Sequence, residues 1–176
     1  MNILKRYSRW LHTQWPAGEV EKLPVVREDG STSVPGLYIT GDLRGVPLLK
    51  FSADSGARVV RTIAEHLDTG QAGRERGDTT LDLVIVGAGV SGMAAALEAK
   101  KKHLRYEICE ATEPFSTIVN FPKGKPIYTY PREMKPEGDL QFEATVKEDL
   151  VDELRSQTLE SGIHPRMSRV TSLVRR

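Results

Sequence analysis

Three glycines, Gly87, Gly89 and Gly92, stand in G-x-G-x-x-G spacing directly after the apolar run Leu81, Leu83, Val84, Ile85 and Val86. The run predicts a strand buried on both faces of a parallel sheet. Each glycine has its own task where a phosphate must come near backbone. The first lets the strand turn tightly, the second lets backbone approach a pyrophosphate, and the third lets the next helix pack close to the strand. Val90 and Ser91 lie between the second and third glycines, just before the alanine-rich run Met93 to Lys102, whose helix propensity is high. An anion at the start of that helix meets unpaired N–H groups and the positive end of the dipole, worth roughly 0.3–1 kcal/mol per charge. Tyr106 to Cys109 reads as a second short strand, and Glu110 ends it about 20 residues beyond the middle glycine, where an acid hydrogen-bonds a ribose 2′-OH. A carboxylate there repels a 2′-phosphate, so the expected ligand is the AMP half of FAD or NAD, not NADP. The alternative is a glycine-rich turn with no ligand. Strand, turn, helix, second strand and acid in one register weigh against it. Replacing Glu110 by Ala is expected to weaken FAD retention and spare the fold.

A second constellation precedes the first: Thr32-Ser33-Val34-Pro35-Gly36-Leu37-Tyr38-Ile39-Thr40-Gly41-Asp42. Pro35-Gly36 is turn chemistry, Leu37 to Thr40 is a short β-rich run, and Gly41-Asp42 ends it. Taken on its own, Asp42 reads equally as a turn residue capping the next helix. Residues 48–67 outline a helix whose apolar face is Phe51, Ala53, Ala57, Val60, Ile63, Ala64 and Leu67.

This pattern resembles the second flavin motif of the thioredoxin reductase-like FAD/NAD(P)-binding family, the pyridine nucleotide-disulfide oxidoreductase-like proteins. The resemblance implies that Gly41 and Asp42 meet the ribityl chain of FAD. It also implies that the helix after them points its N-terminus at the isoalloxazine ring, placing Leu49, Lys50 and Phe51 beside it. A positive helix end stabilises the negative charge that develops on flavin reduction. Lys50 also reads as a solvent-facing lysine of the first helical turn. Phe115-Ser116-Thr117 and Val119-Asn120-Phe121-Pro122 resemble the family segment that lies along the flavin, which makes Thr117 and Asn120 candidate pocket residues; a plain surface loop is the other reading of each.

The two motifs occur here in the reverse of the family's order. Residues 1–67, which begin with an amphipathic helix over 2–14, form a segment of the type that closes the family's chain. Residues 68–80 form a linker, and residues 81–176 form a Rossmann segment of the type that opens it. The linker spans up to about 43–47 Å when extended, so both pieces can meet around one FAD. The expected architecture is α/β, a Rossmann-like FAD/NAD(P)-binding domain with a parallel sheet, incomplete as it stands. Residues 111–138, with Pro114, Pro122, Pro126, Pro131 and Pro136, predict a long loop, either a binding loop or a region ordered by neighbours missing from this sequence. A helix is expected over 139–161 through Phe142, Val146, Leu150, Val151 and Leu154, with Gly162 as its C-cap. A weak strand follows over 167–174.

Composition limits the function classes. A formal net charge of +1, with no basic patch interleaved with aromatics, argues against a nucleic-acid surface. No run of about 18 apolar residues exists to span a membrane. The single cysteine, Cys109, allows no internal disulfide and no C-x-x-C pair, which is compatible with a reducing compartment; a cytoplasmic location is the expectation. The basic amphipathic helix over 2–14 reads as an intramolecular packing helix, a membrane-surface helix or a dock for a partner or second subunit through residues 1–15. No metal site and no catalytic side chain stand out. The resemblance implies the FAD-binding part of a flavin oxidoreductase, with NAD(P)H as donor bound by a domain this sequence does not contain. A noncatalytic module that keeps the dinucleotide fold and a small NAD-binding domain are the competing readings.

Overall fold

The computed structural model describes residues 23–70 and 80–174, so the expected helix over 2–14 and most of the linker lie outside the described residues. A 3-10 turn at Gly41–Arg44 leads into helix α1 (Leu49–Gly70). Strand β1 (Leu83–Val86), helix α2 (Val90–Lys101) and strand β2 (Tyr106–Glu110) then form a β-α-β unit. A short helix α3 (Ser116–Val119), helix α4 (Lys147–Thr158) and a brief strand β3 (Arg166–Met167) complete the order. The sheet runs β1-β2-β3, all parallel, with Ile85 opposite Ile108 and Cys109 opposite Arg166. This is a partial Rossmann-like α/β fold.

Helix α2 is the centre of the packing. Its alanines, Ala94, Ala95, Ala96 and Ala99, are all buried, because the sheet covers one side and α1 the other. Small side chains make this possible. On α1, Ala53, Gly56, Ala57 and Val60 form the facing stripe, and a Cβ on Gly56 would stand 2.1 Å from the Ser91 carbonyl oxygen. A second stripe on α1 is polar. Lys50 Nζ donates to the carbonyls of Pro131 (2.8 Å) and Arg132 (3.1 Å), the Asp54 carboxylate accepts the Glu137 N–H, and Arg61 binds both Glu98 and Glu137. The proline-rich stretch is thus held by α1, which is why it is ordered without regular structure of its own.

Four expectations are corrected. Strand β1 is buried on one face only: Val84 and Val86 are 51% and 56% exposed, and among the described residues no strand pairs with its other edge. The last helix starts at Lys147, not near 139. Leu140 and Phe142 are buried while Gln141 and Glu143 are exposed, a period of two, and this stretch pairs with residues 125–127 through the Pro126–Val146 bridge. Strand β3 is confined to Arg166–Met167; its last tie is the Ser168 N–H to the Glu110 carbonyl. Phe51 is 39% exposed and leaves the apolar face of α1. Gly162, by contrast, sits at φ +84° with its N–H on the Leu159 carbonyl and the Ile163 N–H on that of Thr158, the Schellman arrangement that ends α4.

Candidate functional site

Where β1 ends, Gly87 turns the chain at φ +97°, a conformation that side chains with a Cβ rarely adopt. Its N–H donates to the Cys109 carbonyl, which keeps the turn in register with β2. A Cβ built on Gly87 or Gly89 meets nothing within 4 Å, so the surface above both is open; one on Gly92 would lie 1.9 Å from the Gly87 carbonyl oxygen. The geometry follows the spacing: Gly87 makes the turn, the space above Gly89 is open, and Gly92 lets the helix pack against the strand. The first intrahelical bond of α2 runs from the Met93 N–H to the Gly89 carbonyl. The N–H groups before it have no acceptor within the helix, and their residues, Val90, Ser91 and Gly92, line the opening.

Glu110 sits behind this turn, 8% exposed. Its Oε2 accepts the Ala88 N–H at 2.7 Å, and its Oε1 accepts the Thr112 N–H at 2.9 Å. Burial alone raises a carboxyl pKa, but the N–H donors of Ala88, Thr112 and Ala111 and the Thr112 hydroxyl outweigh it and hold Glu110 below the ordinary value. The acid is a clamp on the turn as well as a candidate ribose partner, so its loss disturbs the turn too.

The other motif arrives from the opposite side. Gly41, buried at φ +72°, donates its N–H to Ser55 Oγ at 3.0 Å. Ser52 Oγ donates to Asp42 Oδ1 at 2.7 Å, while Asp42 Oδ2 has no partner among the described residues. The two serines, one turn apart on α1, thus pin the Gly41-Asp42 turn to the start of that helix. A Cβ on Gly41 would meet the Ser91 Cβ at 3.0 Å, so the two motifs touch at Gly41 and Ser91. Ser91 Oγ is buried and lacks any hydrogen-bond partner among the described residues.

A cavity of about 760 Å³ opens at this junction, within the usual range of about 300–1,000 Å³ for ligand sites. Gly41, Asp42, Leu49, Gly87, Gly89, Val90, Ser91, Gly92 and Thr117 line it. Lys50, Glu110 and Asn120 do not. Lys50 is 7% exposed and spent on two carbonyls, and Asn120 is an exposed residue closing α3. Sequence reasoning missed Ser52, Ser55, Lys125 and Tyr128. Serines at i and i+3 just after a G-D turn are a signal that could have found the first two. Among the described residues, no group of three His, Cys, Asp or Glu side chains could hold a metal ion, and no helix is long and apolar enough to cross a membrane. Burial, with the neighbouring Glu107, pushes the Cys109 thiol up, away from thiolate chemistry.

These residues fit a dinucleotide on three counts: open space above two glycines, helix N–H groups without an intrahelical acceptor, and an orphaned buried hydroxyl on Ser91, a residue that lines the same opening. Comparison with known proteins gives the ligand. Residues 82–148 match the family model described as FAD binding domain. No curated protein and no solved structure matches the chain. The matched segment runs from the start of β1 through the glycine turn and Glu110 to the first turn of α4, and the match gives FAD as the cofactor.

Proposed function

We propose that residues 23–70 and 80–174 close together around one FAD, and that the chain is the cofactor-binding part of an NAD(P)H-linked flavin oxidoreductase of the thioredoxin reductase-like type. In this reading the glycine turn and Glu110 hold the adenosine and diphosphate, while Gly41 and Asp42 meet the ribityl chain. The N-terminus of α1 then faces the flavin. The observation that carries the proposal is the contact between Gly41 and Ser91, which brings two motifs far apart in sequence onto one cavity. Bound FAD would supply the hydride and electron-transfer chemistry. The chain's own part is to bind and orient it: α2 offers N–H groups, Ser91 a hydroxyl, and Asp42 a carboxylate oxygen with no partner among the described residues. Cys109 is the single cysteine of these 176 residues and is buried, so they supply no disulfide acceptor of their own.

The test is an absorption spectrum of the purified chain after incubation with FAD and desalting. A retained flavin band is expected, and its bleaching on addition of NADH or NADPH would support the nicotinamide link. A colourless protein after FAD addition would overturn the proposal. Retained FAD that neither nucleotide bleaches would favour a noncatalytic module. The edge of β1 that no strand pairs with among the described residues gives that second reading its motive.

A further inference from the structure

We infer that Lys125 is a cofactor-binding residue whose ammonium balances the diphosphate held over the glycine turn. The inference rests on the FAD reading above and adds a residue to it. Among the described residues that line the cavity, the charged ones are Asp42 and Lys125. A dinucleotide diphosphate brings two negative charges. The N-terminus of α2 offers the equivalent of roughly half a positive charge, and Asp42 adds a negative one. The remaining excess is negative, and Lys125 is the cation the cavity presents to offset part of it.

Its placement suits the task. The ammonium lies 3.5 Å from the centroid of the Phe121 ring, and Phe121 lines the same cavity. No carboxylate pairs with it among the described residues, whereas Lys101 pairs with Asp139, Lys147 with Glu148, and Lys50 with two carbonyls. An exposed cation over a half-buried aromatic ring gains about 0.5–1 kcal/mol, enough to seat the side chain without neutralising it. The backbone beneath is fixed. The Lys125 N–H donates to the Pro122 carbonyl, the Lys147 N–H donates to the Lys125 carbonyl at 3.0 Å, and the N–H of Gly124, at φ +69°, donates to the Glu148 carboxylate. A charge-assisted contact to phosphate therefore costs little ordering of the loop.

The test titrates FAD, ADP and adenosine into the full chain and into Lys125→Gln and Lys125→Arg, over a series of salt concentrations. Lys125 is exposed, so both variants are expected to keep the wild-type circular dichroism spectrum. Lys125→Gln should bind FAD and ADP about tenfold or more weakly and with a shallower salt dependence. Lys125→Arg should stay near wild type, and adenosine, which has no phosphate, should bind all three proteins alike. Wild-type affinity and salt dependence in Lys125→Gln would overturn the inference and leave the FAD reading standing. An equal loss for adenosine would overturn it as well, because shape and not charge would be responsible. A wild-type chain that binds neither FAD nor ADP would sink both.

Discussion

Gly56 and Ser91 approach so closely that a Cβ on Gly56 would stand 2.1 Å from the Ser91 carbonyl oxygen and 3.2 Å from the Ala95 nitrogen. This contact joins the segment bearing Gly41-Asp42 to the segment bearing the glycine turn. Both neighbours are helix backbone, which cannot rotate aside as a side chain can. Gly56→Ala should therefore destabilise the chain by about 1–3 kcal/mol, despite up to about 1 kcal/mol of gained helix propensity, and should weaken FAD binding by parting the two motifs. Urea unfolding and an FAD titration measure the two effects. An unchanged midpoint would show that α1 and α2 separate without penalty.

The glycines of the turn predict a contrast. Gly92→Ala places a methyl 1.9 Å from the Gly87 carbonyl oxygen and should lower stability by about 1–3 kcal/mol. Gly89→Ala meets open space and should leave the unfolding midpoint nearly unmoved, while costing about 1–2 kcal/mol of FAD affinity where the methyl displaces the pyrophosphate. Equal stability losses in the two variants would contradict this division of tasks.

Glu110 links pH to stability. Its folded pKa lies below the ordinary 4.5, so the folded chain favours the ionised carboxylate more than the unfolded chain does. The stabilisation is fully present above about pH 4.5 and is lost as pH falls through the lower folded value. Glu110→Gln replaces one acceptor oxygen by an amide donor and leaves the N–H of Ala88 or Thr112 unsatisfied, at about 1–3 kcal/mol. Urea midpoints taken from neutral pH down through the carboxylate range should show a flatter acid limb in the variant. Parallel acid limbs would remove Glu110 as their source.

The Arg61–Glu98 pair predicts a scaffold effect distinct from the site. Glu98 is 2% exposed and is bound by Arg61 Nε at 2.9 Å, and Arg61 also reaches the Glu137 carboxylate. Arg61→Ala strands a buried carboxylate and should destabilise by about 3–5 kcal/mol. Replacing both members, Arg61→Met with Glu98→Leu, should recover most of that loss. A double variant no more stable than Arg61→Ala would show that packing against Glu137 matters more than the charge pair.

The amino-acid sequence by itself determined the local pieces: the β-α-β unit, the turn at Gly87 and the close packing at Gly92, Glu110 at the end of β2, the helix after Gly41-Asp42 and the Gly162 stop. These follow from periodicity, propensity and the φ angles only glycine tolerates, which act over a few residues. It misled where an alternation of two was taken for a helical period, over residues 139–146, and where an apolar strand was taken to be covered on both faces. Tertiary structure alone decided that Gly41 meets Ser91, that Lys50 turns to the carbonyls of Pro131 and Arg132, that Glu110 clamps the turn, and that Lys125 faces the cavity unpaired among the described residues. Each depends on which surfaces come together at long range, and a hydrogen-bonding or charged side chain takes its role from whichever partner that packing brings within about 3 Å.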